Sequence, residues 1–356
     1  MPRTWENNIY GFIPKTDWLD VGTIVTRPND PVDQLIDDLK TDNLVAEWES
    51  LAAEFQIPVM AQFHGFDTEA QTTFRVPIDR HNVEKGLIKV KINQSERMRT
   101  LLRSGVQNDA LYDYVLRDGI RLSDQVVTRS KVAKNELLAT GKVTIKENNL
   151  NLTVDYGVPS GNLNKTLDLG TAANVPEQLQ TLVDDATAHG VVLTGIYTSR
   201  AVLTKMRNNV SLQKQINGTN GTGVLIRKSA LEEYLAEEFG IGTVLTNDLT
   251  YGKSMSIDAY NRPSIATARY YPQNKVTFFA TNPGGRLGRG LWGDPPEIDN
   301  ARFYSNEEPS SSPFVYVTQK MEWDPAVLWT KASALFMPVL FNPNSLYVAR
   351  VTETNS

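Results

Sequence analysis

The chain has 356 residues, 40% of them hydrophobic and 22% charged, with a net charge of −5 and no cysteine. That length allows one large or two moderate domains with a sizeable core, while the missing cysteines exclude disulfides, thiol nucleophiles and Cys-based metal sites. No apolar run approaches the roughly 18 residues of a membrane span, and MPRTWENNIYGF does not have the basic-then-apolar pattern of a secretory signal.

Residues 1–30 read as an extended arm, because Trp5, Tyr10, Phe12 and Trp18 are separated by Asn, Gly, Pro and Asp. Asp30-Pro31 opens a predicted short helix over VDQLIDDLK. Thr41 or Asp42 caps a second over NLVAEWESLAAEF. From Pro58 to Ile92 runs a long, polar, strand-like excursion: VMAQF, HGFDTEAQ, TTFRVPIDR, a turn near Glu84-Lys85-Gly86, then LIKVKI. Pro77 limits this stretch to an edge or broken strand. Its polarity on both faces argues against burial within one subunit.

The strongest periodic signal follows. Leu111 and Val115 recur as Leu122 and Val126, then as Ala133 and Leu137, with Leu116, Val127 and Leu138 alongside. A repeat of eleven is close to three helical turns, so the spacing predicts one straight helix over 109–140. Such a rod is about 48 Å long. Asn108 or Asp109 suits its cap, and Gly141 suits the left-handed residue past its end. KVTIK and NLNLTVDYG then predict a hairpin with Leu150, Leu152, Val154 and Tyr156 on one face. GVPSGNLNKTLDLG (157–170) reads as a linker. Beyond it, helices are expected from Asn174-Val175-Pro176 to Gly190, over about 200–208 and over 228–239. Strands are expected at VVLTGIYTS, GTVLTND, SMSIDA, KVTFFA, FVYVTQKME and LYVARV. This texture is α+β, with a mixed or antiparallel sheet.

Charge is unevenly distributed. Residues 1–56 hold 11 acidic and 4 basic side chains, a balance of −7, whereas residues 75–146 hold 15 basic and 8 acidic, a balance of +7. One reading is two differently charged solvated surfaces. The other is contact between copies, acidic arm against basic loop or rod. The candidate contact residues are Arg75, Asp79, Arg80, Lys85, Lys89 and Lys91 on the basic side, with Asp37 and Asp38 on the acidic side. Nucleic-acid recognition fits less well, since stacking aromatics hardly interleave with these cations.

Catalytic signatures are weak. His64, His81 and His189 have no metal-like spacing, and no metal site, cofactor or catalytic residue is expected. Gly218, Gly221 and Gly223 do not follow a hydrophobic strand, so they read as a loop. GGRLGRG, with Gly284, Gly285, Gly288, Gly290, Arg286 and Arg289, follows the strand KVTFFA. It is the one candidate place for a phosphorylated ligand, which defines an alternative reading as a cytoplasmic α/β enzyme. It has no GxxxxGK[ST] pattern, and Asp-Pro-Pro follows where a helix would begin.

Four stretches carry a resemblance: RVPIDRHNVEKGLIKVKINQSERM leading into the rod, LLATGKVTIKENNLNLTVDYG, PQNKVTFFATNPGGRLGRGLWGD, and SALFMPVLFNPNSLYVARV. In this order they resemble the lambda-like (family E) major head proteins of tailed bacteriophages, with the Hong Kong 97 phage-type capsid fold. The resemblance implies an N-terminal arm at 1–30, short helices over 31–57 leading into a peripheral domain, and an extended loop at 58–92 overlapping a neighbour. It further implies a peripheral domain at 93–169 with spine helix 109–140 and hairpin, then an axial domain over 170–356 with strands returning to the peripheral domain. The implied function is a virion shell assembled in the host cytoplasm from homo-pentamers and homo-hexamers around double-stranded DNA, which is contacted weakly and non-specifically. Separate scaffolding and portal proteins, and in some relatives a decoration protein, are the implied partners. An encapsulin-like nanocompartment is the near alternative. Some relatives cross-link a loop lysine to a neighbour's asparagine, which would draw attention to Lys85, Lys89 and Lys91.

Overall fold

The helix expected from the eleven-residue stripe spans Asp109–Thr140 in the computed structural model. The structure describes residues 30–51, 60, 78–96, 109–171, 173–218, 221–257, 263–298, 311–312 and 314–353. Leu122, Val126, Val127, Ala133, Leu137 and Leu138 of the stripe are buried; the side chains of Leu111, Val115 and Leu116 lie outside the described set. Gly141 closes the rod at φ +67°, its N–H donating to the Leu137 carbonyl at 2.8 Å. A side chain there would strike Val158 as well as strain the backbone. Two further terminal carbonyls of the rod are satisfied by neighbouring side chains. Thr277 Oγ1 donates to Leu138 O and Lys275 Nζ to Ala139 O, both at 2.7 Å. A helix end buried without such donors would be costly.

The strands around the rod are β1 (Ile36–Lys40), β2 (Val45–Leu51), β3 (Ile78–Glu84), β4 (Gly86–Gln94), β5 (Lys142–Glu147), β6 (Leu150–Asp155), β7 (Lys165–Asp168), β8 (Gly195–Thr198), β9 (Thr243–Thr246), β10 (Thr250–Ile257), β11 (Pro263–Arg269), β12 (Lys275–Phe279), β13 (Gly288–Gly293), β14 (Ser311–Ser312), β15 (Val315–Trp323), β16 (Ala326–Leu340) and β17 (Leu346–Thr352). Two sheets organise them. In the larger, β16 pairs antiparallel with β13, β15 and β4, while β1 adds parallel to β13 and β14 adds antiparallel to β15. The smaller runs β7-β17-β12-β8-β9. β2–β3, β5–β6 and β10–β11 are separate antiparallel ribbons.

The smaller sheet is buried on both faces, and its alternation explains how. Ile196, Val276, Phe278, Tyr347, Ala349 and Val351 face a helical layer formed by Val175–Ala188, Arg200–Asn208, Val210–Asn217 and Lys228–Phe239. Tyr197, Phe279, Leu346 and Val348 face the other way, into the core shared by the rod and the larger sheet. Period-2 alternation thus places successive side chains in two different cores. The helices at 200–208 and 228–239 match the sequence expectation, and Gly190 (φ +76°) ends the one before them.

Four expectations are corrected, the first being that 157–170, read as a linker, holds a helical turn at Ser160–Leu163 and strand β7, which pairs parallel with β17. VDQLIDDLK forms one helical turn, Val32–Leu35, and then a strand, because residues 36–40 pair with β13. NLVAEWESL contains strand β2, paired with β3 from Val45 opposite Glu84 to Leu51 opposite Ile78. LIKVKI does not turn back on β3. It lies in β4, paired with β16 over Gly86–Gln94, with Ile88, Val90 and Ile92 packed on the core. Gly86–Gln94, the last part of the stretch read as the excursion, therefore belongs to the larger sheet.

Candidate functional site

Asp37 and Asp38, two of the charged residues singled out in sequence, lie on one seam where β1 crosses the rod. Lys134 of the rod is fully buried. Its ammonium donates to Asp33 Oδ1 at 2.8 Å and Ile36 O at 3.1 Å, and it lies 2.8 Å from Asp38 Oδ1. These three acceptors match its three protons. Asp38 Oδ1 also accepts from Trp292 Nε1 at 2.8 Å. Asp37, the next residue in the strand, points the other way, to Arg286 at 2.7 Å and Arg289 at 3.8 Å. Lys131 adds a second cation to Asp33 at 3.5 Å.

A second polar cluster lies beside it. Asn247 Nδ2 lies within hydrogen-bonding reach of Asp30 Oδ1 (3.0 Å), Tyr197 Oη (2.8 Å) and Asn135 Oδ1 (3.1 Å). Tyr197 Oη donates to Asn135 Oδ1 at 2.7 Å. All four side chains are buried. The cluster ties the start of the described chain, the rod, β8 and the loop after β9 together. Burial raises the Asp30 carboxyl above the usual carboxylate range, and the Val32 N–H with Lys131 and Lys134 only partly offsets this.

Lys85 occupies the ribbon root. It is 3% exposed, and its ammonium shares its three protons among acceptors within hydrogen-bonding distance: Thr41 Oγ1 at 2.6 Å, Thr41 O at 2.9 Å, Trp292 O at 3.2 Å and Asn43 O. Burial lowers its pKa, while the charges of Asp42 and Asp294 oppose that shift.

The structure therefore separates the candidate contact residues. Asp37, Asp38 and Lys85 have partners within the subunit. Lys89 and Lys91 lie on the exposed face of β4, with Lys91 Nζ 4.1 Å from the centre of the Trp329 ring. Only the backbone of Asp79 and Arg80 is described, opposite Ser50 and Glu49 in the ribbon, and Arg75 lies outside the described residues. Of the acidic surplus in residues 1–56, Asp33, Asp37 and Asp38 meet cations of the same chain. Sequence reasoning missed Asp33, Lys134 and Trp292. The signal was present in Lys134, which stands three residues before Leu137 on the buried stripe, where a lysine requires buried acceptors.

The glycine cluster does not form a phosphate cradle. Gly285 N donates to Asn282 O at 2.8 Å, Arg286 N to Asn282 Oδ1 at 2.9 Å and Leu287 N to Leu35 O at 2.8 Å, so the turn satisfies these donors itself. Arg286 and Arg289 face Asp37. Gly288 and Gly290 belong to β13, where a Cβ would collide with Val339 O or with Asp38 Oδ1. Close approach of strands explains these glycines, and the ligand-binding alternative loses its site. Among the described residues no group of His, Asp or Glu is placed to hold a metal ion. His189 is exposed, with Nδ1 2.7 Å from Asp185 O; His64 and the His81 side chain lie outside the described set.

Among the described residues, the exposed large apolar side chains include Leu150 and Leu152 of the hairpin. β5 and β6 turn at Asn148 and Asn149, both at positive φ, as a two-residue hairpin requires. Along β6, Tyr156 and Val154 are buried, but Leu152 is 43% and Leu150 62% exposed on the same face. The apolar stripe thus begins in the core and runs off the subunit.

Comparison with solved structures identifies this architecture. The chain is similar to the putative capsid protein of a prophage from Escherichia coli CFT073, with 11% identity, a TM-score of 0.53, and coverage of 95% of this chain and 97% of that one. It is also similar to a phage-related protein from Bordetella bronchiseptica RB50, with 10% identity, a TM-score of 0.52, and coverage of 94% and 95%. At such identity the likeness establishes the fold, the Hong Kong 97 type. No curated protein sequence matches the chain. The family model for phage major capsid protein E matches residues 59–351, most of the chain, and the protein belongs to that family of virion shell proteins.

Proposed function

We propose that copies of this chain form the pentamers and hexamers of an icosahedral shell enclosing phage DNA, with separate scaffolding and portal proteins directing assembly. The observation that carries this reading is the match to the family model of phage major capsid protein E over residues 59–351. Among the described residues, surfaces open to neighbours include the exposed face of β4 with Lys89 and the Leu150–Leu152 edge of the hairpin. Many weak contacts repeated in a closed shell give a stable particle through avidity, where one copy of each would not hold a dimer. Electron microscopy of the chain co-expressed with its scaffolding protein tests the reading. Closed icosahedral particles are expected, and a monodisperse subunit with no particles under those conditions overturns it.

A further inference from the structure

We propose that Lys85 is a positioning residue whose ammonium fixes the direction in which the β2–β3 ribbon leaves the subunit; the assembly half of this inference rests on the function proposed above. β3 pairs with β2, and β4 pairs with β16, yet only Lys85 separates the two strands in sequence. The chain therefore changes sheets at that residue, and ladder pairing alone leaves the angle between ribbon and sheet free. Two main-chain bonds hold the root: Lys85 N to Leu44 O at 3.0 Å and Thr41 N to Trp292 O at 2.8 Å. The Lys85 ammonium adds the rest. It draws together Thr41 and Asn43, which link β1 to β2, and the Trp292 carbonyl of β13.

The chemistry is unusual for a buried lysine. Its direct acceptors are three backbone carbonyls and one hydroxyl, with no carboxylate among them. Burying an ammonium is costly, and an apolar side chain would fill the same space without that cost. What the ammonium supplies is convergence, since one tetrahedral donor holds acceptors from two separate segments in fixed directions. Gly293 makes room for it, because a Cβ there would lie 3.1 Å from Lys85 Nζ. Small errors at this point are amplified. A seven-residue strand runs about 23 Å, so a tilt of about 10° at the root moves the far end by about 4 Å. Lys85 is accordingly not available as a surface contact or for cross-linking, whereas Lys89 faces solvent.

The chain contains no cysteine, so spin labels can be placed without background at Glu47→Cys on the ribbon and Lys320→Cys on the frame, both exposed. In the unassembled full-length chain, Lys85→Met should shift or broaden the label–label distance by about 2 Å or more. Thr41→Val removes one acceptor and keeps the ammonium; it should give a smaller change in the same direction, and it carries the test if Lys85→Met does not fold. An unchanged distance distribution in the folded variants overturns the positioning role, whatever happens to particles. A broadened distribution with normal particle yield overturns the link to assembly. A broadened distribution with malformed or missing particles supports both. Because the distance is read on the free subunit, failure of the shell reading and failure of the clamp are distinguishable.

Discussion

Lys134 and Asp33 are separated by 101 residues in sequence and by 2.8 Å in the structure. This contact pins the first described segment across the rod, with Asp38 completing the cage from the other end of one helical turn and a strand. Removing the cation leaves two half-buried carboxylates facing each other. Lys134→Met is therefore expected to destabilise the subunit by about 3 kcal/mol, read from chemical denaturation at neutral pH. Asp33→Asn should cost less, because Asp38 and the Ile36 carbonyl still engage the ammonium. A Lys134→Met subunit as stable as the parent would mean that the cage is no better than apolar packing there.

Charge reversal at Asp37 or Asp38 acts through the same seam. Asp37 faces Arg286 and Arg289, and Asp38 faces Lys134 and Trp292. Asp38→Lys should thus lower the melting temperature of the unassembled subunit before any effect on particles is seen. A variant with unchanged melting but altered salt dependence of assembly would restore these carboxylates to an intersubunit role.

Asp30 predicts a pH effect with a definite sign. Its pKa is raised by burial, so the folded state holds a proton more tightly than the unfolded chain. The destabilisation from its charged form is full above the folded pKa, shrinks as pH falls through it, and is gone below the unfolded value near 4. Asp30→Asn keeps Oδ1 as acceptor for Val32 N and Asn247 Nδ2, and replaces Oδ2, a buried atom without a hydrogen-bond partner. Relative to the parent, the variant should gain stability as pH rises from about 4 to about 7. A loss that grows as pH rises would show instead that Lys131 and Lys134 depend on the carboxylate's charge, and a loss equal at both pH values would show that the ionisation of Asp30 does not affect stability over this range.

The order of Gly285 and Gly288 tests strand against turn. A Cβ at Gly285 meets nothing within 4 Å, and only φ +75° opposes it, so Gly285→Ala should cost about 1 kcal/mol. At Gly288 the Cβ would press into the Val339 carbonyl, and Gly288→Ala should cost about 3 kcal/mol. Thermal unfolding ranks the two. The reverse order would return this segment to the role of an exposed ligand loop.

The legible elements were those whose own spacing decides their structure. The eleven-residue stripe predicted the rod and its end at Gly141, and Leu150, Leu152, Val154 and Tyr156 predicted the hairpin face. VDQLIDDLK misled because Val32, Leu35, Ile36 and Leu39 have helical spacing. In the structure, strand geometry sends Asp37 and Asp38 to opposite sides, each to a different cationic partner. The partner strand, β13, lies about 250 residues later. NLVAEWESL likewise has helix-favouring Ala, Glu and Leu, and pairing with β3 overrides that preference. Of the site, the charged residues were legible as a group, but not that they would meet one another inside one subunit. Only the fold brings Lys134, Asp38 and Trp292 together.

The excursion offers a test of assembly, and the β2–β3 ladder shows where it can be cut: a replacement reaching to residue 86 would remove β3 and Lys85, and the subunit should unfold or lose its ribbon root. Leu51 and Ile78 face each other across the ladder, so a short Gly-Ser turn replacing 52–77 can close the ribbon there. The rod, both sheets and the helical layer keep every described contact in that variant. Circular dichroism and thermal unfolding should match the parent, while sedimentation should show that particles are lost or badly impaired. If the shortened chain still forms normal particles, residues 52–77 are dispensable for contact between copies, and the overlapping-loop reading falls. If it unfolds instead, those residues contribute to the subunit's own core.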